Sequence, residues 1–166
     1  PEGSVAASAV SVDGSGGLAI ETAPGDAPPV LLRMILRERN GGKGAALRTG
    51  FAAMTGDIVV IQDADLEYDP GDWAVMYDLI ATRKVADVVY GSRFYGRPHR
   101  SLYFHHYLAN RLISICCNIL YNQTLTDIET AYKMMTRQVV QALRLSANDF
   151  GIEVEMTAEI SRQRRL

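Results

Sequence analysis

The chain has 166 residues, 48% of them hydrophobic and 22% charged, with a formal net charge of -2. That size and balance fit one globular domain with a single sizeable core and argue against wholesale disorder. A slightly acidic chain lacks the basic face of a general nucleic-acid binder, so no nucleic acid is expected as a partner.

Residues 1–29 are rich in Ala, Gly, Ser and Pro and contain no Lys or Arg. Such a stretch buries little apolar surface and is expected to be loosely ordered, with the domain proper starting at residue 30. No basic segment followed by an apolar run opens the sequence, so no secretory signal is expected. Residues 30–36 form a candidate strand. Asn40-Gly41-Gly42-Lys43-Gly44 is a glycine-rich turn, and residues 44–54 after it suit a helix, with Leu47 and Phe51 at helical spacing. The turn is not a P-loop, because Gly44 follows Lys43 where Ser or Thr is required. From its residues alone, Lys43 reads equally well as an exposed loop side chain.

The apolar run at residues 57–62 reads as a buried strand, and Asp63-Ala64-Asp65 closes it. Residues two apart in a strand-to-loop turn can point the same way, so both carboxylates can reach one hard divalent cation, with Glu67 as a third oxygen donor. The competing reading is a solvated acidic loop, since Asp69-Pro70 is also an ordinary turn or helix-start signal. An EF-hand loop fits poorly, because Tyr68 stands where the sharp turn needs Gly.

A helix over 73–82 places Trp73, Met76, Tyr77 and Ile80 on one face, and a third strand is expected at 86–90. Arg93, Arg97 and Arg100 then cluster, either as anion ligands or as the solvated side chains of a long loop. A helix over 103–121 carries an apolar stripe of Leu108, Leu112, Ile115, Cys116 and Ile119, which reads as core rather than as a lipid-binding surface. The adjacent His105 and His106 cannot easily face one metal ion. The same helix holds both cysteines, Cys116 and Cys117; adjacent thiols fit neither a disulfide framework nor a zinc site and read as buried core thiols in a reducing cytosolic compartment. No run is long and apolar enough to span a bilayer. A strand at 131–135 and helices at 137–143 and 153–165 complete the series.

Strands alternating with amphipathic helices imply an α/β fold: a three-layer α/β/α sandwich around a mostly parallel sheet, with ligands at the carboxyl ends of the strands. Asp63, Asp65, Gly91 and Arg93 all fall at such ends.

Several motifs in order, Asn40-Gly41-Gly42-Lys43-Gly44, Gly56-Asp57 with Asp63-Ala64-Asp65, Ala86-Asp87-Val88-Val89-Tyr90-Gly91-Ser92-Arg93, and Thr126-Asp127 with Tyr132-Lys133, resemble family-two glycosyltransferases. The resemblance runs from about residue 37 to residue 162. More narrowly it points to the branch of dolichyl-phosphate mannose synthases and polyprenyl-phosphate glucosyltransferases. It implies a GT-A, Rossmann-like nucleotide-diphospho-sugar transferase fold. It further implies inverting transfer of a hexose from a nucleotide sugar, of the UDP-glucose or GDP-mannose type, to a polyprenyl phosphate, at the cytoplasmic face of a membrane. Under the resemblance, Asp63 and Asp65, with Glu67, hold Mg²⁺ or Mn²⁺ against the donor diphosphate, and Lys43 lies near the donor nucleotide. Arg93 faces the acceptor phosphate, Arg111 matches a second phosphate-facing Arg, and Asp127 lies near the acceptor.

The pattern departs from the family at its start. Ser11-Val12-Asp13-Gly14-Ser15 is a partial echo of an Asp-Asp-Gly-Ser strand end, with Val12 where the first Asp belongs, and the Pro-x-x-Asn-Glu-like nucleotide-binding turn is missing. The late segment that relatives place near the acceptor is also missing. Residues 30–166 are therefore expected to be an incomplete GT-A domain. The alternative is a non-catalytic or truncated module acting in binding or assembly.

Overall fold

The computed structural model describes residues 7–12, 18–22, 31–32, 34–63, 68–94 and 104–163. The chain divides into two compact units, Pro1–Asn40 and Gly41–Leu166.

In the first unit, β1 (Ala7–Val12), β2 (Leu18–Thr22) and β3 (Leu31–Leu32) form an antiparallel sheet in the order β1-β2-β3. Two of these strands lie in the segment whose composition reads as loosely ordered. Short runs such as Ala9-Val10-Ser11-Val12 carry enough β-branched character to pair locally despite their Gly-rich flanks. The strand expected over 30–36 contracts to the two residues of β3.

The second unit begins with α1 (Gly42–Ala53), followed by β4 (Ile58–Val60). The helix expected over 73–82 is a composite: a 3₁₀ turn at Pro70–Asp72, α2 (Trp73–Tyr77) and a π-helical turn at Asp78–Thr82. Asp69 starts it by accepting the Gly71 N–H at 2.8 Å, a local cap that suits the Pro70 behind it. Then come β5 (Val88–Tyr90), α3 (Phe104–Tyr121), β6 (Lys133–Thr136), α4 (Arg137–Ala142) and α5 (Ile152–Arg162).

The strand order is β4-β6-β5. The expectation of a mostly parallel sheet is corrected for this unit: β4 and β5 point the same way, but β6 runs between them antiparallel to both. Period-2 burial reports which faces a strand covers and carries no information on the direction of its neighbour.

Both faces are covered, as the apolar runs require. Val59, Ile61, Val88, Tyr90 and Met135 face Leu47 and Phe51 of α1, Val139 and Val140 of α4, and Ile152, Met156 and Ile160 of α5. Ile58, Val60, Val89 and Met134 face the other way, onto Met76 and Ile80. Side chains such as Met135, Val139, Ile152, Met156 and Ile160 have no exposed surface. Each such burial contributes roughly 1.5–3 kcal/mol.

The apolar stripe of α3 breaks the expectation of core. Leu108, Leu112, Ile115 and Ile119 are exposed, as is Cys116, while Asn110, Ser114 and Cys117 form the buried side. The helix turns its polar face inward because Asn110 and Ser114 are partners in the network described below.

Candidate active site

Since β6 runs against its neighbours, the carboxyl ends of β4 and β5 and the amino end of β6 meet at one end of the sheet. Two further bonds extend the ladder there: the Ile61 N–H donates to Lys133 O at 2.9 Å, and the Gly91 N–H to Tyr132 O at 2.7 Å. A Cβ at position 91 would lie 2.7 Å from Tyr132 Cδ1, so this close approach requires glycine. Asp63, Arg93 and the loop from Asp127 to Tyr132 thus emerge side by side.

Lys43 reaches this end from α1. Gly42 has φ +81, and the Gly44 N–H donates to Asn148 O at 2.8 Å. A Cβ on Gly44 would stand 2.1 Å from Ala147 O. The glycines of the turn therefore let the first turn of α1 lie directly against the backbone of residues 147–148. From there Lys43 Nζ lies 2.9 Å from Asp63 Oδ2 and 2.8 Å from Glu153 Oε1. The other oxygen of Glu153 takes Lys133 Nζ, which is fully buried and also donates to Ile128 O at 3.1 Å and to Thr130 O.

Asp63, Lys43, Glu153 and Lys133 thereby alternate in sign across β4, α1, α5 and β6. Burial disfavours the charged form of Lys43, yet Glu153 and Asp63 outweigh it and hold its pKa above the ordinary lysine value. At Lys133 burial prevails over Glu153, and the pKa falls.

Asp127 is the centre of a second cluster. Its carboxylate is fully buried and receives Arg93 Nε at 2.8 Å, Arg93 Nη2 at 2.9 Å and the Arg93 N–H at 3.2 Å. Asn110 Nδ2 donates to Oδ1 at 3.0 Å and to Glu129 Oε2 at 3.2 Å. Ser114 Oγ donates to Asn110 Oδ1 at 3.3 Å and accepts the Ile128 N–H at 3.3 Å. Burial alone would raise the Asp127 pKa, but the Arg93 fork and Asn110 hold it below the usual carboxylate range. Asp127 is therefore an ionised anchor, and Arg93, about a quarter exposed at 23%, is presented toward solvent by it.

The structure thus joins Lys43 to Asp63 and Arg93 to Asp127. Arg111 follows Asn110 on α3, half-buried, and belongs to neither pair. Asp65 and Glu67 of the expected metal triad lie outside the described residues, as do Arg97 and Arg100. Glu153 and Asn110 were not singled out in the sequence. Glu153 reads there as an ordinary acidic residue in the first turn of a helix, and Asn110 as one of several polar residues that interrupt an apolar segment.

A cleft of about 440 Å³ lies between α1 and β4, walled by Leu47, Phe51 and Val59 and bearing Lys43 and Asp63 as its charged residues. A larger cleft of about 730 Å³, against Asp57, Asp87 and Thr136, lies at the opposite end of the sheet, so size does not mark the chemistry here. Carboxylate oxygens are hard donors suited to a hard cation, and Asp63 already attracts one positive charge in Lys43. The donor type at Asp63 fits the divalent ion that the motif implies.

The chain matches the model of glycosyl transferase family 2 over residues 11–144. It is 37% identical over 138 residues to a protein of Mycobacterium tuberculosis described as "putative glycosyltransferases", covering 79% of this chain and 37% of that one. It is 26% identical over 130 residues to glycosyltransferase AglJ of Haloferax volcanii, covering 78% and 42%. A shorter match, 42% identical over 52 residues, covers 31% of this chain and 16% of the undecaprenyl-phosphate 4-deoxy-4-formamido-L-arabinose transferase of Sodalis glossinidius. The chain spans less than half the length of each of these relatives. With the family model covering most of its residues, and an α/β unit gathering the family's motifs at one sheet end, the chain belongs to glycosyl transferase family 2.

Proposed function

We propose that this chain carries the donor and acceptor site of a hexosyltransferase acting from a nucleotide sugar onto a polyprenyl phosphate, with inversion. The observation that carries the reading is the placement of two pairs, Lys43–Asp63 and Arg93–Asp127, at one end of one sheet. The first suits a nucleotide diphosphate of the UDP-glucose or GDP-mannose type, and the second an anionic acceptor. The printed name of the Sodalis relative, a transferase acting on undecaprenyl phosphate, supports a lipid-linked phosphate as acceptor. On this reading residues 30–166 are part of a GT-A domain, working at the cytoplasmic face of a membrane.

In the reaction an acceptor phosphate oxygen forms a bond to the anomeric carbon as the bond to the nucleoside diphosphate breaks on the opposite face. A phosphomonoester has a second pKa of about 6 and is largely dianionic at neutral pH, so no base has to deprotonate it. Asp127, ionised and fully buried, serves to fix the Arg93 guanidinium for that phosphate. Lys43 places a positive charge beside the departing diphosphate. Asp63, with Asp65 and Glu67, would hold Mg²⁺ or Mn²⁺, whose Lewis acidity stabilises charge on the leaving group.

Transfer from a radiolabelled nucleotide sugar to a short polyprenyl phosphate, with Mn²⁺ and with chelator, tests this. Asp63→Asn is expected to lower turnover by about a hundredfold or more, the equivalent of several kcal/mol of charge stabilisation. Asp69→Asn is expected to change little, since Asn also caps the Gly71 turn. Turnover that survives both Asp63→Asn and metal chelation would sink the reading.

A further inference from the structure

Helix α3 is amphipathic with its faces reversed. Its buried side is polar, with Asn110 at 3% and Ser114 at 1% exposure, whereas Phe104, Leu112 and Ile119 stand 68%, 55% and 77% exposed. Phe104, Leu108, Leu112, Ile115 and Ile119 follow one another at spacings of three and four, so they form one continuous stripe along about four turns. Scattered exposed apolar side chains need no explanation, but a continuous stripe of this length marks a surface that is covered in use.

The sequence on either side of the stripe says by what. From Val88 to Thr126 it holds four arginines, one of which (Arg93) is paired with Asp127, and all three histidines of the chain, and no Asp or Glu, although the chain as a whole carries -2. On α3 itself His105, His106 and Arg111 are the only ionisable groups apart from tyrosines and cysteines. A second copy of this chain would bring the same cationic segment against itself, and like charges oppose that pairing. An anionic lipid surface complements it, and an apolar stripe beside basic side chains is how a helix lies in a bilayer interface. No helix among the described residues, α3 included, is long and apolar enough to cross a membrane, so α3 would lie on a bilayer surface and not span it.

We propose that α3 is a membrane-docking element that lays the stripe of Phe104, Leu108, Leu112, Ile115 and Ile119 onto an anionic bilayer. The inference deepens the polyprenyl-phosphate reading and rests on it for its purpose. The buried face of the same helix holds Asp127 through Asn110, so docking α3 by its opposite face holds the Arg93–Asp127 pair one helix diameter, ~10 Å, from the surface in which a lipid-linked phosphate sits.

Sedimentation with vesicles tests the proposal on the 166-residue chain. Vesicles of phosphatidylcholine with roughly one-third phosphatidylglycerol are compared with pure phosphatidylcholine. Binding is expected to the anionic vesicles, and to fall when salt is raised from about 0.1 M to about 1 M, as the Debye length shrinks from ~10 to ~3 Å. The double variant Leu112→Asp with Ile119→Asp changes two exposed side chains, so circular dichroism and the thermal midpoint should stay as in the parent, while partitioning drops more than about tenfold. Equal binding by a folded double variant, or no binding by the parent, overturns the proposal. So does a concentration-dependent dimer that the double variant abolishes without any vesicle binding, which would assign the stripe to a second copy. Calorimetry with UDP- and GDP-sugars on the same samples separates the two readings. Sugar-nucleotide binding without vesicle binding removes only the docking role, and vesicle binding without sugar-nucleotide binding removes only the transferase reading.

Discussion

Asp127 and Arg93 are unequal partners. The carboxylate is fully buried and the guanidinium about a quarter exposed, so Arg93 can turn to water while Asp127 cannot. Arg93→Ala therefore strands a buried charge with Asn110 as its remaining side-chain donor among the described residues. The expected cost is about 3 kcal/mol, the low end for stripping one partner from a buried pair. Acid should narrow the difference. The folded pKa of Asp127 is depressed, so its stabilising contribution is complete above the unfolded carboxylate value and lost as pH falls through the lower folded one. Urea midpoints measured from pH 6 downward should converge for parent and variant once the pH passes below about 4, the unfolded carboxylate value. A constant gap across that range would show that Arg93 acts through packing and not through the carboxylate. Both residues were legible in the sequence through their motifs. Asn110, which completes the cluster, was not, because one Asn in an apolar helix carries no periodic signal.

At the scale of elements, α1 shows how two glycines in one helix can have opposite roles. Gly44 lies against Ala147 O, where a Cβ would be only 2.1 Å away, whereas a Cβ at Gly50 would meet nothing within 4 Å. Replacing helical Gly by Ala gains up to about 1 kcal/mol of propensity, while overpacking typically costs about 1–3 kcal/mol. Gly44→Ala breaches backbone rather than a flexible side chain, and also disturbs the bond from Gly44 N to Asn148 O. It should lower the thermal midpoint, and Gly50→Ala should raise it. Differential scanning calorimetry on both variants decides the matter, and a midpoint raised by Gly44→Ala would contradict the close seating of α1.

The positions of α1, β4, β5, β6, α4 and α5 were readable from apolar periodicity to within a few residues. The orientation of α3 was not: the stripe identifies an amphipathic helix, and only the tertiary partners of Asn110 and Ser114 decide that the polar side turns inward. The antiparallel placement of β6 was equally hidden, since a strand buried on both faces looks the same in either direction.

Across the Gly41–Leu166 unit, the chain from Asp63 through Lys43 and Glu153 to Lys133 ties together four elements that are distant in sequence. Its middle anion, Glu153, is 3% exposed and serves two lysines, one of them fully buried. Glu153→Gln keeps the shape and removes the charge, leaving one amide oxygen for two lysines and Lys133 without a described anionic partner in contact. Breaking a buried pair in this way costs about 3–5 kcal/mol near neutral pH. That cost has a characteristic pH dependence. Burial already lowers the Lys133 pKa in the parent, and without Glu153 it must fall further. The unfolded chain then binds a proton that the folded chain does not, so stability rises with pH up to the ordinary lysine value. The deficit of Glu153→Gln relative to the parent should therefore shrink between pH 7 and about 10. Lys43 runs the other way: its raised pKa means that its contribution is present below the ordinary lysine value and lost above it. Chemical denaturation of parent and Glu153→Gln at three or four pH values across this range distinguishes the two lysines. A deficit that stays constant from pH 7 to about 10 would place the loss at Lys43 and its bond to Asp63, whose contribution is lost only above the ordinary lysine value.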